Sequence, residues 1–323
     1  MKLLFSSLLF LGFVMSSNAQ SRNWDEELSL VNHPELYGII VSTNKLIEDK
    51  WAELPQTQFW ASIMRLAPDS CLVNIASSRT VIEKKALRDW NRMNDFQKEA
   101  YKDSIKCAYN MDSTDKIYVT TGKKDFYRFK DVYPSLTKGI LAFEENNVDP
   151  WYAQAILLIE SPAQLKKSSA GAYGPFQLMP GVARAQGLTV NRYTDERSSF
   201  ERSAYAASRL IKTVCIPSAK QILTENNYTF NENDWWFRLF VLHVYHAGAG
   251  NVRAVVEKIS HTQSGEELIR QMWQTKAAQF GNNSQNYSQL ALAAQYIIHE
   301  MTSKTCTNIF DCQEEEEVQA QAF

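Results

Sequence analysis

The spacing of hydrophobic residues changes near residue 135. Before that point, two short apolar runs, CLVNIA at residues 71–76 and KIYVTT at residues 116–121, predict strands. Between the two runs, a capping box that opens at Asn94 predicts the start of a helix. We therefore expect a small α/β domain over residues 20–131, and its role does not follow from its sequence.

Apolar residues recur at helical spacing over the rest of the chain, which predicts a mainly α domain over residues 132–305. One apolar face runs from Phe200 to Val214 at intervals of three and four residues. Residues 235–246, WWFRLFVLHVYH, are apolar nearly all round, which is typical of a central, buried helix.

Both ends of the chain have distinct compositions. Residues 1–19 combine a positive charge at Lys2, an apolar core and a terminal Ser-Asn-Ala, which predicts a signal peptide. Residues 306–323 contain the run DCQEEEE and predict an acidic, disordered tail. No later apolar run approaches the roughly 20 residues of a membrane helix, so we expect no membrane span.

Composition and charge exclude several classes of function. The formal net charge is -2, far from the strong basic patch of a nucleic-acid-binding protein, so no nucleic-acid partner is expected. The 5 histidines have no metal-ligand spacing, and no Gly-x-Ser-x-Gly elbow is present. We expect no metal and no cofactor. Among the 5 cysteines, the pairs Cys306–Cys312 and Cys71–Cys107 both remain open.

Glu160 is the candidate general acid. It follows the apolar run AQAILLI and shares a helix face with Ile156 and Leu157, so folding is expected to place its carboxyl in apolar surroundings. Desolvation raises a carboxyl pKa and keeps the group protonated near neutral pH. The simpler alternative is a glutamate at a helix end in solvent.

A turn-forming stretch follows Glu160. Gly171, Gly174 and Pro175 are expected to bring the chain back past the carboxylate. The side chains carried past it are Ser168, Ser169, Tyr173, Phe176, Gln177 and Met179. A sugar-binding cleft served by one acid would need polar and apolar groups of this kind.

Three ordered motifs carry a resemblance to a known family. The first is ESPAQLKKSSAGAYGPFQLMP at residues 160–180, the second is VYHAG at residues 244–248, and the third is Asn286-Tyr287 before a terminal helical pattern. Together they resemble the soluble lytic transglycosylases, relatives of goose-type lysozyme in glycoside hydrolase family 23. The resemblance covers roughly residues 132–302 and implies a lysozyme-like helical domain behind the smaller α/β domain.

The resemblance also implies roles for individual residues. Ser168 and Gln177 take the positions of the family's substrate-orienting serine and glutamine, and Phe176 and Met179 would line the cleft. Tyr245 and Tyr287 match two tyrosine positions that reach toward the catalytic carboxylate in the family. His246, which follows Tyr245, stands at the family's asparagine position. Each also has a structural alternative, such as loop hydrogen bonding or burial in the core.

The activity implied by the resemblance is a peptidoglycan lytic transglycosylase. Glu160 would act as the only acid and base, cleaving the bond between N-acetylmuramic acid and N-acetylglucosamine with formation of a 1,6-anhydro ring. A muramidase and a glycan-binding scaffold without turnover are the alternatives. Glycan strands would be the partner in the periplasm or outside the cell, and the N-terminal domain leaves room for cell-wall protein partners.

This chain departs from the family pattern at three places. The spacer between Glu160 and Ser168 is one residue shorter than the common pattern, so Ser169 is a substitute for Ser168. His246 stands where the second motif has asparagine, and Asn283-Ser284 stand where Glu-Thr precedes the last tyrosine. None of these differences removes the acid.

Overall fold

The structure, a computed structural model, describes residues 24, 28–33, 36–112, 114–122, 129–160, 167–260 and 262–303. The predicted signal peptide at residues 1–19 and the predicted tail at residues 306–323 lie outside the described residues. The candidate pair Cys306–Cys312 lies there too.

Helices account for most of the described chain, and the prediction of a mainly α fold is confirmed. They are α1 (Asn44–Glu48), α2 (Pro55–Met64), α3 (Leu87–Arg92), α4 (Asp95–Ala108), α5 (Phe129–Glu145), α6 (Trp151–Glu160), α7 (Pro180–Ala185), α8 (Phe200–Leu210), α9 (Ile216–Glu225), α10 (Trp235–Ala247), α11 (Ala249–Lys258), α12 (Gly265–Met272) and α13 (Asn282–Ser303). A π turn at Ile211–Cys215 joins α8 to α9.

Two small antiparallel sheets lie in the N-terminal part. They comprise the hairpin of β1 (Leu28–His33) and β2 (Leu36–Val41), and a second sheet of β3 (Ser70–Ile75), β4 (Val81–Ala86) and β5 (Ile117–Thr121) in the order β4-β3-β5. The strands predicted at residues 71–76 and 116–121 correspond to β3 and β5. The sequence of β4, VIEKKA, mixes apolar and charged residues and gave no comparable signal.

The core of the helical part is built around α10. Every residue from Trp235 to Val244 is buried, which agrees with the prediction of a central helix. The helix packs against α9, α11, α12 and α13. Apolar residues on all sides allow it to contact several neighbours at once, because each contact removes apolar surface from water.

The hairpin and α2 share this core. At the centre of α6, the Gln154 side-chain oxygen accepts a hydrogen bond from the Val41 N–H at 2.9 Å, and its nitrogen donates to the Val41 carbonyl at 3.1 Å and to Gln295 at 2.7 Å. The predicted boundary at residue 132 stays a prediction. The packing groups residues 28–66 with the helices rather than with the second sheet.

The second sheet has a small core of its own, formed by Val73, Ile105 and Ile117. The predicted capping box at the start of α4 is confirmed, with both reciprocal hydrogen bonds at 2.9 Å. Cys71 is buried in the sheet and Cys107 is exposed on α4, and both are free. The candidate disulfide between them is therefore absent.

No helix among the described residues is long and apolar enough to cross a membrane.

Candidate active site

Glu160 is the last residue of α6, and all nine preceding residues of that helix are buried. The start of the helix is fixed by Asp149. One Asp149 oxygen accepts a hydrogen bond from the Trp151 N–H at 2.9 Å, and the other forms a 2.8 Å ion pair with Arg238. Arg238 lies on α10 and is fully buried. The ion pair therefore ties the helix that carries Glu160 to the central helix of the fold.

The surroundings of Glu160 favour its neutral form. Its side chain is half-buried, and desolvation by the surrounding protein raises the pKa of Glu160 from 4.5 to about 7. No acidic side chain contributes to this shift among the described residues. At neutral pH a substantial fraction of Glu160 thus carries the proton that a general acid must donate.

Tyr287, on α13, lies beside the Glu160 carboxyl. Its hydroxyl is buried and makes no hydrogen bond of regular geometry with the described residues. It nevertheless lies close enough for a looser O–H···O contact that lowers the pKa of Glu160, which partly opposes the effect of burial. The tyrosine hydroxyl is therefore a donor available to the ionised form of the carboxyl.

Tyr245, on α10, is the second tyrosine near Glu160. Its hydroxyl donates a 2.6 Å hydrogen bond to the carbonyl of Phe176. Desolvation raises the pKa of Tyr245 well above its usual value, and the charge of Glu160 adds to this rise. Tyr245 thus connects the neighbourhood of Glu160 to the loop that precedes α7.

His246 follows Tyr245 and presents an exposed ring that stacks on Tyr287, with 4.3 Å between ring centroids. Desolvation by the surrounding protein lowers the pKa of His246 to about 4. The ring is therefore neutral at physiological pH. A neutral imidazole can donate and accept hydrogen bonds, as an asparagine side chain can.

The loop of residues 167–179 begins with a tight turn. The Ser168 hydroxyl accepts a 2.9 Å hydrogen bond from the Ala172 N–H, and the Ser168 N–H donates to the Ala172 carbonyl at 2.9 Å. Ser169 is exposed at the tip. Residues 161–166, which contain most of the shortened spacer, lie outside the described residues.

Two of the predicted sugar contacts have different surroundings. Phe176 is fully buried and stacks on Phe143 with 5.6 Å between centroids, so its side chain belongs to the core instead of lining a cleft. Its backbone carbonyl is the part that faces Tyr245. Met179, by contrast, is 41% exposed and free to contact a ligand.

Gln177 and Tyr173 lie on the returning part of the loop. Gln177 has a left-handed backbone, φ 46°, and its side-chain amide donates a 3.0 Å hydrogen bond to the Gly174 carbonyl. Tyr173 is half-buried and pairs with Leu178 across a short antiparallel bridge.

Arg197 holds this loop in place through hydrogen bonds. This role of Arg197 was not predicted from the sequence. The Arg197 side chain is 2% exposed, forms hydrogen bonds of 2.8 and 2.6 Å to both oxygens of Asp195, and donates to the carbonyls of Gly171 at 2.9 Å and Leu178 at 2.8 Å. Its guanidinium also lies over the ring of Tyr173. The Asp-x-Arg spacing hinted at an ion pair, but no local pattern indicates that the pair is buried under a distant loop.

Four acidic residues that follow Glu160 in the chain have partners elsewhere. Asp195 pairs with Arg197, Glu196 with Arg202, and Asp234 accepts a hydrogen bond from the Trp236 ring nitrogen. Glu201 accepts one from the Ser199 hydroxyl. Within the described ranges, no group of three or more histidine, cysteine or acidic side chains could hold a metal ion.

Comparison with known families agrees with the geometry. A search of curated proteins finds no match. Residues 140–267 match the family model described as the transglycosylase SLT domain, and this supports a peptidoglycan-related activity of the lytic transglycosylase type in general terms. Tyr287 lies beyond the matched residues, and its position beside Glu160 is a feature of the tertiary structure. The segment from the end of α5 to the start of α12 is thus similar to the transglycosylase SLT domain, which confirms the resemblance seen in the motifs.

Proposed function

We propose that this protein is a peptidoglycan lytic transglycosylase that cleaves the β-1,4 bond between N-acetylmuramic acid and N-acetylglucosamine. The observation that carries the proposal is the position of Glu160, a half-buried acid with a pKa raised to about 7 at the end of an otherwise buried helix. The tyrosines beside it, on α10 and α13, add support.

The proposed reaction needs one carboxyl group. Neutral Glu160 donates its proton to the glycosidic oxygen, and the bond between that oxygen and C1 of the muramic acid breaks. The resulting carboxylate then takes the proton from the C6 hydroxyl of the same sugar, whose oxygen bonds to C1 and closes the 1,6-anhydro ring. The proton is returned to Glu160, and no water is consumed.

The electrostatics of the described residues favour this route over hydrolysis by two carboxylates. A two-carboxylate glycosidase places its second acid about 5–9.5 Å from the first. Two like charges so close together would normally perturb each other, whereas no acidic residue influences the pKa of Glu160 among the described residues. In the proposed reaction the Tyr287 hydroxyl, which lowers the pKa of Glu160, stabilises the carboxylate that exists between the two proton transfers.

Product analysis tests the proposal. Purified peptidoglycan sacculi are incubated with the protein, and the released fragments are weighed by mass spectrometry. Products lighter than the hydrolysis products by one water are expected. A muramidase would instead release reducing ends, and a protein that binds the sacculi without releasing fragments would be a scaffold. Either result contradicts the proposal.

A variant pair tests the role of Glu160. Because a general acid accelerates a reaction by about 10²–10⁴-fold, Glu160→Gln should lose at least about 99% of the activity. Glu145→Gln is the matched control, since Glu145 is also the last residue of a helix but is exposed. Full activity of Glu160→Gln would exclude the assigned acid.

The remaining parts of the proposal concern location and partners. Peptidoglycan lies in the cell envelope, so we place the protein in the periplasm or outside the cell, with residues 1–19 as its signal peptide. We assign Ser169, Tyr173, Gln177, Met179 and His246 to substrate contacts, and Ser168 to shaping the loop. The second sheet with α3 and α4 offers a surface for cell-wall protein partners.

A further inference from the structure

Exposed arginine and tyrosine side chains occur on α7, on α8 and on the turn between these helices. We call this group the tyrosine–arginine surface. It consists of Arg184, Arg192, Tyr193, Arg202, Tyr205 and Arg209. Arg202 is half-buried, and the other five side chains are exposed. The catalytic proposal gives this surface no role.

Hydrogen bonds join the parts of this surface. Arg184, on α7, donates to the Val190 carbonyl at 3.1 Å. Arg202, on α8, donates to the Gly187 carbonyl at 2.9 Å and forms a 3.1 Å ion pair with Glu196. Glu196 in turn accepts a hydrogen bond from the Thr189 N–H. The turn that carries Arg192 and Tyr193 is therefore fastened to both helices.

The turn at residues 191–194 exposes the ring of Tyr193 to solvent. Tyr193 is 80% exposed, yet the Asn191 side chain accepts hydrogen bonds from the N–H groups of Tyr193 at 2.8 Å and Thr194 at 2.9 Å. The Asn191 N–H also donates to the Thr194 carbonyl at 2.8 Å. The backbone of a closed turn is already ordered, so the protein loses little further conformational entropy when a ligand stacks on the exposed ring.

The described residues do not neutralise all of the positive charge of this surface. Arg184, Arg192 and Arg209 form no ion pair with any acid in the described ranges. Two of these arginines lie over tyrosine rings, Arg192 at 4.4 Å from the centroid of Tyr193 and Arg209 at 5.8 Å from that of Tyr205. Glu201, which precedes Arg202 in the sequence, reduces the excess positive charge of the surface without cancelling it. Planar guanidinium groups of this kind suit carboxylates.

The surface adjoins the candidate active site. Tyr193 lies two residues before Asp195, and Asp195 binds the guanidinium of Arg197. Arg197 holds the carbonyls of Gly171 and Leu178 in the loop next to Glu160. These contacts link the turn to the loop beside Glu160, so a long polymer bound in the active site could also contact the turn.

We propose that the tyrosine–arginine surface binds the substrate polymer outside the cleavage site. Sugar rings would stack on Tyr193 and Tyr205, and the arginines would pair with the carboxylates of the peptide stems. This inference rests on the proposed function, since it takes peptidoglycan as the ligand. Its chemical basis is that the ligand offers both flat sugar faces and repeated negative charges, which are the two features that this surface complements.

Co-sedimentation with purified sacculi tests the binding. All proteins carry Glu160→Gln so that the polymer stays intact. Adding Tyr193→Ala or Arg192→Ala should raise the apparent Kd about fivefold, from roughly 1 kcal/mol per stacking or charged contact. Tyr109→Ala and Arg88→Ala are matched controls, because these side chains are exposed in the N-terminal part of the chain, outside the tyrosine–arginine surface. Unchanged binding of both surface variants would overturn the inference.

A second arm separates the two kinds of contact. On sacculi whose peptide stems have been removed enzymatically, Arg192→Ala should no longer weaken binding, while Tyr193→Ala should still do so. A full effect of Arg192→Ala on stem-free sacculi would contradict pairing with stem carboxylates.

A third measurement keeps this inference apart from the proposed function. With Glu160 intact, Tyr193→Ala should cleave a soluble glycan of two repeats at the wild-type rate, because the proposed surface lies outside the cleavage site. If the wild-type protein releases no anhydro products, the proposed function fails whatever the binding shows. If Tyr193→Ala loses activity equally on the short glycan and on sacculi, the surface belongs to the active site, and the inference of a separate surface fails.

Discussion

The ring of His246 lies flat against the ring of Tyr287, with 4.3 Å between their centroids and 29° between their planes. Tyr287 in turn faces the Glu160 carboxyl. The residue that departs from the family motif thus contacts the tyrosine next to the acid. The consequences of this contact can be measured.

Replacing His246 with the family's asparagine should leave the shape of the pH–activity profile unchanged between pH 5 and 8. Desolvation lowers the pKa of His246 to about 4, so the imidazole is already neutral across that range. The test compares the rates of sacculus clearing by wild type and His246→Asn at half-unit pH steps. An inflection near pH 6.5 that disappears in the variant would show that His246 titrates in the working range.

Removing the Tyr287 hydroxyl should move the basic limb of the activity profile to higher pH. The hydroxyl stabilises the ionised carboxyl and so lowers the pKa of Glu160. In Tyr287→Phe, Glu160 would keep its proton to a higher pH, with a shift of up to about one unit. Tyr193→Phe, which removes an exposed hydroxyl elsewhere, is the control and should show no shift. A shift to lower pH in Tyr287→Phe would contradict this arrangement.

The raised pKa of Glu160 also predicts a pH-dependent loss of stability. The unfolded state, with a pKa near 4.5, releases its proton at a lower pH than the folded state, with a pKa of about 7. The free energy of unfolding should therefore fall as pH rises between these values, and Glu160→Gln should remove that fall. At pH 8 the variant should be more stable than wild type by about 1–3 kcal/mol, allowing for partial solvent contact, and at pH 4 nearly equal.

Urea unfolding at pH 4, 6 and 8 measures this difference. Glu145→Gln, at an exposed helix end, serves again as the control and should follow wild type at each pH. A Glu160→Gln protein that is less stable than wild type at pH 8 would mean that the carboxylate is well solvated or paired in the folded state.

Alanine substitutions at two glycines of the loop, Gly171 and Gly174, test whether the close packing against Arg197 constrains the loop. Both have left-handed backbones, φ 92° at Gly171 and φ 85° at Gly174. A Cβ at Gly171 would meet nothing within 4 Å, whereas one at Gly174 would lie 1.9 Å from the Arg197 carbonyl oxygen. Gly171→Ala should cost about 1–2 kcal/mol of stability from backbone strain alone. Gly174→Ala should cost about 1–3 kcal/mol more, because the backbone around Arg197 must move.

Thermal unfolding together with activity on sacculi measures both effects. Gly174→Ala should lose activity beyond its loss of stability, since the loop that passes Glu160 is displaced. Equal stability and equal activity of the two variants would show that the close approach to Arg197 does not constrain the loop.

The local features of this protein followed from its sequence. The capping box at Asn94, the central helix α10 and the strands β3 and β5 could all be predicted, because each depends on side chains within one or two turns of the chain. The placement of Glu160 at the end of an apolar run likewise predicted a desolvated acid, since the residues that bury it include its own helical neighbours.

Other features depend on residues that are far apart in the chain. The burial of Phe176 against Phe143, the ion pair of Asp149 with Arg238 and the contact of Tyr287 with Glu160 each join separate helices. Local spacing cannot specify such pairs, because it shows which face of an element is apolar but not which element will cover it. The sequence by itself therefore indicated Glu160 as the candidate acid. Only the tertiary structure decided which side chains surround it, because those side chains meet only when the helices pack.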